Sequence, residues 1–289
     1  MTRAGSKVAM LLVALAASVS GCGGAGGASE VGPSETGAGD GGPYTGAIWA
    51  FVGVPGASLS MPAYNVQVGF SATASTIDFL YPVATPATGC SCTSGIGIGT
   101  PGPEEVSAGT IALTATDGGP VLAALVPTDS SNRVYEEVSA TAWAPGEVLA
   151  VWAQGQPNQV KSFSTTLQTA APFSGVMPAI SAAPVTIVRS VDFSVSWTPE
   201  AKANEVVSLN ITELNPGAQC TCYGPESMGA ITVPAGSLAV FAASSSGASS
   251  TGSGTVTLSR WVVSTFLTET ATVYLIGQAT LYGDDAVFQ

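Results

Sequence analysis

Residues Val191–Trp197 read VDFSVSW. In an extended chain Val191, Phe193, Val195 and Trp197 point to one side, and Asp192, Ser194 and Ser196 to the other. A period of two, apolar against polar, marks a strand with one buried and one wetted face, the habit of antiparallel sheets. The same kind of stretch recurs on both sides of it. In the first half, strands are expected over 45–53, 65–70, 76–83, 109–115, 120–126, 133–143 and 147–154. In the second half they are expected over 185–190, 191–197, 205–212, 237–243, 254–263 and 271–282. Gly, Pro and Asn punctuate the gaps, and only 9% of residues are charged. That composition lacks the Lys- and Glu-rich faces of surface helices and predicts an all-β protein.

Three landmarks repeat in the same order. Cys-x-Cys occurs at Cys90–Cys92 and at Cys220–Cys222. AGTIA at Ala108–Ala112 is echoed by AGSLA at Ala235–Ala239, and AVWAQGQ at Ala150–Gln156 by TVYLIGQ at Thr272–Gln278. Together with the strand count they predict two tandem antiparallel β-sandwich domains of immunoglobulin-like type, 44–172 and 173–289. The Pro-containing stretch Gln168–Pro184 falls at their boundary. The five Trp residues are expected to anchor the two cores; a Trp platform for sugars is the competing use.

The start of the chain reads MTRAGSKVAMLLVALAASVSGC. Arg3 and Lys7 precede an apolar run, Val8–Val19, that is short for a membrane span and fits a secretion signal. Val19-Ser20-Gly21-Cys22 resembles the lipobox of bacterial lipoproteins. The resemblance implies a signal peptide over 1–21, cleavage before Cys22, and fatty acylation of Cys22 as a membrane anchor. Gly23, in place of Asp, implies the outer membrane by the enterobacterial rule. Residues 22–43, rich in Gly, Ser and Ala, then read as a flexible tether. Trp197-Thr198-Pro199 and Val233-Pro234-Ala235-Gly236-Ser237-Leu238 are similar to segments in a loose class of lipoproteins from GC-rich Gram-negative bacteria. That class carries no activity over.

Beyond the signal, Arg133, Lys161, Arg189, Lys202 and Arg260 stand against nineteen acids. Such a surface argues against nucleic acid and anionic lipid as partners. An oxidising compartment makes disulfides the default for Cys90, Cys92, Cys220 and Cys222. Residues i and i+2 of a strand are too far apart for a relaxed local bridge. The open connectivities are therefore a local bridge in a turn, or bridges between the two pairs; a four-thiolate metal site is the competing chemistry. The chain has no His, which removes Ser-His-Asp and Cys-His catalysis. Glu104/Glu105, Glu136/Glu137 and Asp284/Asp285 are the acid pairs on which a glycosidase-like hydrolase would rest. Loops around Asp117, Asp129 and Asp284 offer oxygen ligands, without the spacing of a strong calcium site. The expectation is a non-catalytic envelope module without a cofactor, whose partner is an envelope protein or a glycan.

Overall fold

The structure, a computed structural model, describes residues 42–54, 63–72, 89–94, 105–115, 119–128, 135–181, 184–200, 205–213, 217–243 and 254–289. The signal, most of the tether, Cys22, the strand expected over 76–83 and Glu104 lie outside the described residues. So do Asp117 and Asp129.

The chain is an all-β sandwich built on one nine-stranded sheet. Its strands are β1 (Tyr44–Val54), β2 (Ala63–Ser71), β3 (Gly89–Ser94), β6 (Val138–Ser139), β9 (Val185–Ile187), β11 (Glu205–Glu213), β12 (Ala218–Pro225), β14 (Gly254–Leu267) and β15 (Ala271–Phe288). They run in the order β3-β12-β11-β14-β15-β1-β2-β6, with β9 also on β15. A four-stranded sheet, β5 (Val121–Leu125), β4 (Ile111–Ala115), β7 (Val148–Ala153) and β8 (Phe163–Gln168), covers one end of it. A two-stranded sheet, β10 (Phe193–Ser196) with β13 (Ala230–Val233), covers the other.

Two cores result, and the long antiparallel pair β14–β15 serves both. Val273, Leu275 and Ala279 of β15 enter the first core with Ile48, Leu113 and Leu149. Further along, Leu281, Ala286 and Phe288 enter the second with Val195, Leu209 and Leu238. At about 3.3 Å per residue an eighteen-residue strand extends about 60 Å, enough to span two sandwiches. Strand β1 pairs in parallel with the early part of β15, and β9 in parallel with its end. The two halves thus share a sheet, and β3 of the first half sits on the second core through β12.

Alternation predicts most of these strands. In VDFSVSW, Phe193, Val195 and Trp197 are buried as expected, while Val191 sits in a turn and is 55% exposed. Two expectations are corrected. Residues 237–243 are not a strand: Ala235–Leu238 form a single helical turn, α1, and Leu238 and Phe241 are buried at helical spacing. Of 133–143, among the described residues only Val138–Ser139 pair as a strand. The landmark repeats are local as well. AGTIA leads into β4, AGSLA opens α1, and the two GQ segments belong to different sheets.

The segment after β8 is packed rather than free. Ala170 joins the first core, and Ile180 and Phe173 the second. It crosses the inner face of β15 where side chains are smallest. A Cβ at Gly277 would lie 2.7 Å from Thr169 Cα and against the Gln168 carbonyl. Replacing Gly277 by Val is therefore expected to cost about 1–3 kcal/mol through backbone clash. At Gly69 of β2 an added Cβ meets nothing within 4 Å, so Gly69→Ala should be neutral or slightly stabilising. Denaturant titration of both variants checks the contrast; equal effects would contradict the crossing.

Candidate functional site

Cys90 and Cys92 are two apart on β3, and Cys220 and Cys222 two apart on β12, so each pair presents both sulfurs to one face. Antiparallel register places Cys92 opposite Cys220 and Cys90 opposite Cys222. Both opposed pairs have Cα–Cα distances of 4.0 Å and are bridged as disulfides, Cys90–Cys222 and Cys92–Cys220. The spacing therefore makes a two-rung ladder between the halves rather than local bridges or a thiolate metal site. The ladder faces the second core, where Cys220 and Cys222 are buried.

A second site forms around Arg260, which none of the sequence motifs singled out. Arg260 is on the inward phase of β14 with Val256 and Leu258, and is fully buried. Its Nη1 donates to Glu200 Oε1 at 2.7 Å and to the carbonyls of Ala171 at 3.0 Å and Pro172 at 3.4 Å. Its Nη2 donates to Glu226 Oε1 at 3.0 Å, and its Nε lies 3.5 Å from Glu205 Oε2. The guanidinium carbon stands 4.7 Å from the centre of the Phe173 ring. Glu226, itself fully buried, also accepts from Glu200 N through Oε1, and its backbone carbonyl accepts from Trp197 Nε1.

Three carboxylates, two carbonyls and a ring therefore surround one guanidinium. Arg suits this role because its planar fork holds several donors in fixed directions and stays charged. Glu205 comes close because β11 and β14 pair with Val207 opposite Arg260, one inward position along. Ala171 and Pro172 belong to the crossing segment, so Arg260 fastens that segment beside the gap at Gly277. The signal in the sequence was a charge on the buried phase of an alternating strand, at Arg260 in TVTLSRW and at Glu205 and Glu213 in EVVSLNITE. Glu213 is buried too and accepts from Ala242 N.

The acid pairs fare differently. Glu105, Glu136 and Glu137 are exposed, and Glu137 accepts from Gln67. The side chains of Asp284 and Asp285 lie outside the described residues. No group of His, Cys, Asp or Glu among the described residues has the arrangement of a metal site.

The Trp expectation is corrected in part. Trp143 and Trp197 are core residues, but Trp152 is 50% exposed. Trp49 and Trp261 meet on the outer face of the long sheet, ring centres 5.3 Å apart. Their indole N–H groups donate to Gln278 Oε1 and Ser208 Oγ. The two are 212 positions apart in sequence, and only the parallel pairing of β1 on β15 brings them together.

No protein-family model and no curated protein matches this chain. Among solved structures it is similar to the crystal structure of chicken CNTN1 FN1–FN3 domains, at 11% identity and a TM-score of 0.17, over 64% of this chain and 60% of that one. A likeness at that score carries no argument about the site.

Two outcomes follow from this geometry. The disulfides close nearly the same loop, with sequence separations of 132 and 128. In the chain-entropy account, a loop of that size is worth about 4–5 kcal/mol once, not twice. Replacing either cystine by an Ala pair should cost clearly less than half of what replacing both costs, read by denaturant unfolding. Equal additive losses would contradict a shared loop. Arg260→Met leaves the buried Glu226 and Glu205 carboxylates without their cation and should cost about 3–5 kcal/mol. Arg260→Lys should rescue little, because an ammonium cannot reproduce the fork; a Lys variant of wild-type stability would contradict the assignment.

Proposed function

We propose that the protein is a lipid-anchored, non-catalytic module of the cell envelope, held to the outer membrane through acylated Cys22 and serving a structural or recognition role. The anchor rests on the lipobox-like Val19–Cys22 behind a charged start and an apolar run. The observation that carries the non-catalytic part is the use of the converging carboxylates. Glu200, Glu205 and Glu226 are turned onto one guanidinium, which also donates to the carbonyls of Ala171 and Pro172 and so fastens the crossing segment to the second core. An acid pair working on a glycosidic bond needs a gap for the substrate between its carboxyls; here Arg260 fills that place. The inter-half cystine ladder adds to the same purpose, a folded body that keeps its shape in the cell envelope.

Metabolic labelling with a fatty acid tests the anchor. Wild type should carry label and fractionate with membranes, and Cys22→Ser should do neither. Equal labelling of both would sink the reading. For the catalytic alternative, release of reducing sugar ends from purified envelope glycan is the measure. None is expected, and release that disappears in Glu136→Gln/Glu137→Gln would favour a hydrolase.

A further inference from the structure

The four-stranded sheet buries Ile111, Leu113, Leu149, Val151 and Leu167 in the first core and turns its other side outward. Register lines that outer side into rows. Trp152 of β7 stands between Ala112 of β4 and Ser164 of β8; in the next row Ala150 stands between Thr114 and Thr166. No strand of this sheet, IALTA, VLAAL, VLAVWA or FSTTLQ, contains an ionisable residue. Its one aromatic side chain on the outer side is Trp152, near one end of the interior strand β7 and half exposed among methyls and hydroxyls, with the exposed Val121 and Val148 toward the other end.

From this face we infer a binding site for a neutral glycan, with Trp152 as the stacking platform and Ser164, Thr166 and Thr114 as the hydroxyl neighbours. The chemistry of the face selects that class. An indole offers a broad apolar surface to the C–H face of a sugar ring, and hydroxyls exchange hydrogen bonds with sugar hydroxyls at little desolvation cost. Its neighbours Ala112, Ser164 and Ala150 are all small, so the half-exposed indole stands above them and its ring is reachable by a ligand. The absence of cationic groups on the four strands disfavours phosphate, nucleic acid and anionic lipid, which would also meet an acidic chain.

Size argues against a second copy as occupant. Four strands about 4.8 Å apart and about five residues long span roughly 14 Å by 17 Å. That is far below the ~800 Å² per partner of a stable protein interface. It suits a short stretch of oligosaccharide.

The inference deepens the recognition reading above and rests on it; the two fail separately, since the anchor is read by fatty-acid label and this site by sugar binding. The full chain is titrated calorimetrically with cellohexaose, chitohexaose and maltohexaose as neutral probes, up to millimolar concentration. At least one is expected to bind. Trp152→Ala should weaken that binding by at least about tenfold, as loss of a central aromatic does, while Trp152→Tyr keeps most of it. Because Trp152 is half exposed, both variants should keep the wild-type circular dichroism and melting temperature. Failure of all three probes to bind wild type would overturn the site. So would binding that survives Trp152→Ala but is lost in Trp49→Ala, which would move it to the long sheet. Sedimentation showing a Trp152-dependent dimer, with no sugar binding, would assign the face to a second copy instead.

Discussion

A guanidinium with no contact to water is stable in a protein only if the fold supplies its whole shell. At Arg260 the shell comes from three separate stretches: Ala171, Pro172 and Phe173 of the crossing segment, Glu200 and Glu205 at the entry to β11, and Glu226 after β12. Each of these would leave a buried charge or carbonyl exposed to low dielectric if it moved away alone. The cluster therefore sets where the crossing segment lies, and that segment separates the two cores. Gly277 and Ala279 provide the room, and Arg260 provides the fastening.

The long pair β14–β15 extends this constraint to the rest of the molecule. One face of it lines both cores, so neither core is complete without it. The cystine ladder then ties the edge strand β3 to its neighbour β12, through residues 128 to 132 positions away in sequence. Local pairings would have left two independent sandwiches. The observed pairings instead close long loops, which is costly in chain entropy and makes covalent closure worth more.

What was legible in the sequence follows from where the information sits. Strands such as β10 and β11 announce themselves because apolar and polar positions alternate locally, and β1 and β7 because they are short apolar runs between turn residues. Cys-x-Cys told which face the sulfurs share but not which strand opposes them, since register between distant strands is a property of the folded sheet. The segment 237–243 misled because Leu238 and Val240 alternate like a strand. The pair that is buried together is Leu238 and Phe241, whose spacing is helical, and Ala235 N is held by Asp192 at the helix start. Trp49 and Trp261 could not be joined by any local rule. Arg260 was visible as a charge on a buried phase, yet its partners lie on stretches that only topology brings near. The exposed Trp152 was equally open to a core reading, because its strand neighbours Val151 and Ala153 are core residues.

If one shared ribbon and one buried cluster hold the molecule together, the two cores should open together. Hydrogen–deuterium exchange followed by mass spectrometry resolves this, comparing peptides from β4 and β7 with peptides from β11 and β13. The account predicts that the slowest amides of both regions exchange through the same global opening, with the same dependence on denaturant. Protection of one region lost at a denaturant concentration where the other remains fully protected would contradict it.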